Sequence, residues 1–297
     1  MNHSWKLKRI TIQSVGVLMF ASLVFAASRA ASLKEAAVAS PKYIFIFLAD
    51  GAGIAHMEIT RQYNQVIHGE GLVVADKIMK EGTLGLLTTH AADSLSTDSA
   101  AAATALAHGC KAKIGTLGVC ADGTVTKTIT EIAKDNGMRI GLVTNATAYD
   151  AGPAAFACHV ENRRQFGNIL DQYLQLAPDI LMGGGRDQFL PSTQPGGERK
   201  DNTNLIESFV QKGYSYASNK KELDRVKSGK LLGLFAWKDM SFEIERDKQT
   251  EPSVYDMTQA AIRILHQSNS RGFVLLVENE NIDTAAHLTD VASLIHD

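Results

Sequence analysis

Tyr43-Ile-Phe-Ile-Phe-Leu-Ala49, halted at once by Asp50-Gly51-Ala52-Gly53, is the stretch on which the fold of this chain turns. An apolar run bounded by an acid and two glycines reads as a buried strand ending in a tight turn. The figure repeats along the chain. Residues 84–88 read as a second strand, 139–144 as a third, and 179–182 as a short one stopped by three glycines; 273–277 (FVLLV) is a strand that runs straight into Glu278. Between them lie helical stretches: 57–66, the Ala-rich 99–107 closed by Gly109, 129–136 ending at Gly137, 163–176, and a last one at 284–295. Residues 200–211, 231–236, 253–267 and 272–277 continue the alternation. Strands that are apolar throughout are covered on both faces, and helices between them imply parallel crossovers. The expected fold is α/β: a three-layer sandwich with a mostly parallel central sheet, whose chemistry collects at the carboxyl ends of the strands.

Composition excludes several classes. The chain has 297 residues, 45% hydrophobic and 21% charged, with 6 prolines. That is enough apolar material for one large core, and too balanced for a disordered or collagen-like polypeptide. Lys+Arg 30 against Asp+Glu 32 give a net charge of −2, so no basic domain marks a nucleic-acid partner. One long apolar run stands at the N terminus. Lys6, Lys8 and Arg9 precede it, residues 10–27 are mostly apolar, and Val24-Phe25-Ala26 or Ser28-Arg29-Ala30 offers a cleavage site. Residues 1–30 are therefore read as a signal peptide, and 31–297 as the α/β domain of an exported protein, periplasmic or extracellular. An uncleaved anchor is the lesser reading, because the uninterrupted apolar stretch after Ser14 is short for a span. Export permits disulfides. Cys110 and Cys120 flank a short glycine-containing loop and are the expected pair, with Cys158 left over.

Four groups of residues carry chemical promise. Asp50 and Glu278 each follow a buried strand directly, so both should face one crevice. Each alone reads as a cap or a solvated turn; together they suggest a hard-cation site, since carboxylate oxygens are what such ions accept. Asp283 and His287 are four apart, on one face of a helix, where carboxylate and imidazole can grip one zinc ion. Ser99 opens an Ala-rich helix, where free N–H groups and the positive dipole end suit a phosphate or an alkoxide. The plainer alternative is that Asp98 or Ser99 only caps that helix. Asp150 and Gly152 lie in a loop after a strand, and Arg163, on the helix that follows, can fork onto phosphate oxygens or form a surface salt bridge. His159, between them, reads as a satisfied, partly buried histidine.

These pieces occur in a familiar order. ADGAG at 49–53, TDSAAAATA at 97–105, GCKAKIGTLG at 109–118, DAGPAA to HVENR over 150–163, and VENENIDTAAH at 277–287 resemble the alkaline phosphatase family, over about residues 42–297. The resemblance implies that Ser99 is a nucleophile that becomes phosphorylated and that Arg163 binds the substrate's phosphate. It also implies two zinc sites and one magnesium site. Asp50 bridges the second zinc and the magnesium, Glu278 is a magnesium ligand, Asp283 and His287 hold the first zinc, and Asp150 supports the magnesium from behind its ligands. Small phosphomonoesters are the implied substrates, and a homodimer the implied assembly.

Two departures from the family pattern stand out. The family carries Thr or Ser, as a magnesium ligand, where this chain has Gly152, so the magnesium site is expected to be weaker or occupied differently. The family also takes zinc ligands from a later Asp-His pair and a further His. No Asp-His dipeptide occurs here, which leaves Asp50 and Ser99 for one zinc and Asp283 and His287 for the other. Last strands are then expected to be missing, with a sheet edge and apolar faces uncovered. A phosphomonoesterase working through a phosphoserine is thus the first expectation, and a truncated, non-catalytic phosphate- or metal-binding remnant the second. A sister hydrolase of sulfate esters or phosphodiesters is the third, disfavoured by the DSAA segment and by the lack of a Cys-x-Pro/Ala-x-Arg segment.

Overall fold

Among the residues described by the computed structural model, 41–267 and 271–297, six strands form one sheet. They are β1 (Tyr43–Ala49), β2 (Arg139–Thr147), β3 (Ile180–Gly184), β4 (Tyr214–Ala217), β5 (Lys230–Leu234) and β6 (Phe273–Asn279), in the order β1-β6-β2-β3-β5-β4. Every neighbouring pair is parallel. The proposed signal peptide lies outside the described residues.

The α-helices longer than one turn are α1 (Ile54–His68), α2 (Ser99–His108), α3 (Ile129–Asp135), α4 (Ala151–Ala155), α5 (Phe166–Leu176), α6 (Leu205–Gln211), α7 (Lys220–Arg225), α8 (Val254–His266), α9 (Asn281–Leu288) and α10 (Val291–His296). Alternation along the strands builds the layers. Leu142, Leu181, Leu232 and Leu276 join residues of α2, α4 and α5 in one core. Val143, Ile180, Leu231 and Leu275 join the α8 stripe of Met257, Ala260, Ala261, Ile264 and Leu265 in a second core. Each large side chain removed from water there contributes about 1.5–3 kcal/mol. Among the described residues no helix is long and apolar enough to cross a membrane. Cys110 and Cys120 form the expected disulfide, and Cys158 is free and buried.

Several expectations need correction. β1 is not buried on both faces: among the described residues it is an edge strand, paired only with β6, and Phe47 is 66% exposed. With Phe45 it forms an apolar face that is exposed among the described residues. Residues 84–88 form no strand; among the described residues no strand pairs with them, and Leu86 is 93% exposed. Apolar content alone cannot supply a hydrogen-bonding neighbour. The last helix is two, α9 and α10, broken where Thr289 adopts a φ of 59°. Arg163 precedes its helix, which begins at Phe166.

Candidate active site

The carboxyl ends of β1, β6 and β2 stand side by side, and a cavity of about 790 Å³ opens above them. Asp50, Ser99, Asp150, Gly152, Arg163, Glu278, Asp283 and His287 all line it. The parallel register explains part of this convergence: Leu48 pairs with Glu278, so the acid on β6 comes level with the end of β1. Gly51 explains another part. Its φ is +65°, and a Cβ there would lie 2.3 Å from Asp283 Oδ1. Only glycine lets the first turn of α9 come so close to the end of β1.

The carboxylates are crowded and short of counter-charge. Among the described residues, Asp50 Oδ2 is buried without a hydrogen-bond partner. Burial pushes the Asp50 carboxyl up, Asp283 and Asp150 add to the rise, and the Ser99 hydroxyl and the Gly51 N–H draw it back. Glu278 is 1% exposed. Thr144 Oγ1 donates to its Oε2 at 2.7 Å. Burial still holds this carboxyl well above the usual range, and the nearby charges that raise it further are Asp150, Asp50 and Glu280, all negative.

Asp98 caps α2, its Oδ1 accepting the Ala101 N–H at 2.9 Å. Ser99 is therefore the first helical residue, relieved of capping and set at the positive end of the helix. Buried Ala100, Ala103 and Ala107 let α2 pack tightly into the core beside α4. Arg163 is clamped by two carboxylates: Nη2 to Asp150 Oδ1 at 2.9 Å and Nη1 to Asp98 Oδ2 at 3.3 Å. Burial disfavours its charge, but Asp150 and Asp98 outweigh that and hold it protonated. Asp283 and His287 share a face of α9, Oδ2 to Nε2 at 3.4 Å, and the His287 side chain is 79% exposed. His159 is structural, as expected: Nδ1 meets Gly118 O at 2.9 Å and Nε2 meets Glu131 at 3.2 Å.

Two acidic residues of the cavity were not singled out from the sequence, Glu280 and Asp239. Glu280 carried a signal: it stands two residues past Glu278, on the same side of an extended chain. Asp239 carried none. It follows β5 on a loop, where its Oδ1 accepts the Thr147 N–H at 2.8 Å. Among the described residues no three His, Cys, Asp or Glu side chains are grouped as a ready-made metal cage.

Known proteins resemble this chain over most of its length. The family profile for alkaline phosphatase matches residues 41–297. The repressible alkaline phosphatase of Saccharomyces cerevisiae is 34% identical over 97% of this chain and 54% of its own. The crystal structure of Thermus thermophilus alkaline phosphatase superposes with a TM-score of 0.79 at 33% identity, over 86% of this chain and 53% of that one. A TAB5 alkaline phosphatase variant from an Antarctic bacterium, solved with Mg bound in its M3 site, shares the fold at a TM-score of 0.66 and 24% identity, over 86% of this chain and 69% of its own. The chain thus spans about half the length of the yeast and Thermus proteins it matches. It belongs to the alkaline phosphatase family.

Proposed function

We propose that the cavity hydrolyses small phosphate monoesters with the help of divalent cations, through a phosphoserine at Ser99. The observation that carries this is the meeting of a helix-opening serine, a clamped guanidinium and strand-end carboxylates around one cavity. The donors suit a hard cation. Those of Asp50 and Glu278 are oxygens, Asp50 Oδ2 has no hydrogen-bond partner among the described residues, and the charges that most raise the buried Glu278 carboxyl are negative. Magnesium is the ion proposed for Asp50 and Glu278, with Asp150 behind them. For zinc the chain offers Asp50 with Ser99, and Asp283 with His287, one donor short of the usual three in each case. Bound cations would supply Lewis acidity, offsetting the charge of the entering and leaving oxygens.

The chain's own residues do the rest. Arg163 forks onto two phosphoryl oxygens, and the N–H groups opening α2 face the same charge. Ser99 Oγ attacks phosphorus in line, and its proton passes to water. The bond from phosphorus to the ester oxygen breaks, and the alcohol leaves after taking a proton from water. Water then attacks the phosphoserine, phosphate departs, and Ser99 recovers its proton. Export past the membrane belongs to this proposal, carried by the basic and apolar leader; N-terminal sequencing of secreted protein checks it. A homodimer is part of it too, checked by light scattering.

The test is turnover of a chromogenic phosphomonoester by the full chain supplied with zinc and magnesium. Release of the alcohol, lost in Ser99→Ala, is expected. Exposed His287 and the short zinc donor sets favour a second reading, a phosphate- or metal-binding protein without turnover. Phosphate binding without any alcohol release would establish it and overturn the first.

A further inference from the structure

Asp187 is 1% exposed, and it takes no part in the chemistry proposed above. It stands on the 3-10 turn Arg186–Phe189 that follows β3, at the cavity's end of the sheet. A buried carboxylate destabilises a fold unless it is paired and hydrogen-bonded. This one is both. Lys238 Nζ pairs with its Oδ2, and the Tyr149 hydroxyl donates to Oδ1 at 3.0 Å and to Oδ2 at 3.3 Å. Burial and the Asp187 charge push the Tyr149 phenol well above its usual range, so it stays a donor.

Tyr149 meets both sides of the Arg163 clamp. It is the residue before Asp150, whose Oδ1 accepts from Arg163 Nη2 at 2.9 Å. Its ring packs against Phe166, three residues past Arg163, with centroids 4.7 Å apart. Gly185 makes room for the ring: its φ is +82°, and a Cβ there would lie 2.7 Å from Tyr149 Cε1. The turn that carries Tyr149 is tied down by its backbone as well. The Ala148 N–H donates to Gly184 O at 3.1 Å, and the Asp150 N–H to Thr147 O at 2.8 Å. The hydroxyl on Asp187 is the side-chain tether of that turn, and it reaches across to β3. Neither Tyr149 nor Asp187 lines the cavity, whereas Asp150 and Arg163 both do.

We propose that Asp187 and Tyr149 are positioning residues for the phosphate-binding guanidinium. The buried Asp187 carboxylate tethers the Tyr149 hydroxyl, and the tethered ring holds Asp150 and the segment from Arg163 to Phe166 in fixed relation. Arg163 then meets phosphate already oriented. A side chain ordered before its ligand arrives loses less freedom on binding, and affinity rises by that difference. The planar fork of arginine makes orientation matter more than it would for a point charge. The proposal rests on Arg163 as the phosphate-binding group of the function proposed above.

The test is binding of inorganic phosphate to the full chain supplied with zinc and magnesium, by titration calorimetry, with a melting curve for every variant. Tyr149→Phe keeps the ring on Phe166 and removes only the tether; phosphate is expected to bind roughly five- to tenfold more weakly. Asp187→Asn still accepts the hydroxyl but gives up the charge, and is expected to weaken binding by a smaller factor, about threefold. Arg163→Lys keeps a charge without the fork, so in that background Tyr149→Phe should weaken phosphate by less than it does alone. A purely structural role would lower the melting temperature and leave affinity where it was. Wild-type binding that is unchanged in Tyr149→Phe, or in Asp187→Asn should that variant not fold, overturns the proposal and leaves the role of Arg163 standing. An equal loss in the Arg163→Lys background does the same. No phosphate binding by the wild type, or binding indifferent to Arg163→Lys, overturns both.

Discussion

The chelator-stripped chain should lose stability as pH rises from 5 to 9, and Glu280 should carry much of that slope. Burial pushes its carboxyl from 4.5 up to about 8; Asp150, Asp239 and Asp50 push the same way, and the Thr284 hydroxyl opposes them. Between those two values the folded chain holds a proton that the unfolded chain has released. Stability is then fully present below the unfolded value and is lost as pH climbs through the folded one. A shift of that size in a dry interior corresponds to roughly 4–5 kcal/mol. Glu280 opens on a wet cavity, and solvent screening reduces this to about 2 kcal/mol. For a domain of this length that is a fall in Tm of about 4–8 °C. Calorimetric melting in chelator at pH 5, 7 and 9, for the wild type and Glu280→Gln, reads the effect directly. The variant should flatten the decline by about 2 kcal/mol. Parallel pH profiles for the two proteins would refute the reasoning.

Three further predictions follow from the packing. Replacing Cys110 and Cys120 by serine opens a loop with a sequence separation of 10, which costs roughly 2–3 kcal/mol in urea unfolding; no change in midpoint would contradict it. Gly152→Ala drives a Cβ into the buried Glu278 carboxylate and should cost about 1–3 kcal/mol despite alanine's better helix propensity, seen as a lowered Tm. Asp98→Ala removes the cap of α2 and one of the two carboxylates on Arg163. It should cost about 1 kcal/mol of stability and lower phosphate affinity, measured by calorimetry; unaltered affinity would count against the clamp.

What the sequence revealed and what it hid divide along the distance over which each signal acts. The runs ending at Ala49 and Val277 announced strands because continuous apolar stretches between turn residues are local facts. The pairing of Asp283 with His287 was legible because helical spacing of four is local too. Strand order is not local. Nothing in YIFIFLA says that it lies at the sheet edge with Phe47 exposed. Residues 84–88 look like a strand by composition and lack only a partner, which composition does not encode. The clamp on Arg163 reaches 65 residues back along the chain to Asp98, and Asp239 reaches 92 residues back to Thr147. Glu280 was hidden for another reason: it sits inside a motif whose other acids drew the roles, and only the cavity shows that it faces the same way.

Acid quenching of the full chain during turnover of a phosphomonoester, in zinc and magnesium, followed by peptide mass mapping, tests the central claim most directly. One phosphoryl group on Ser99, absent in Ser99→Ala and diminished in Arg163→Ala, is the result expected. Steady release of alcohol with Ser99 never phosphorylated, or a phosphoryl group trapped on another residue, would contradict it.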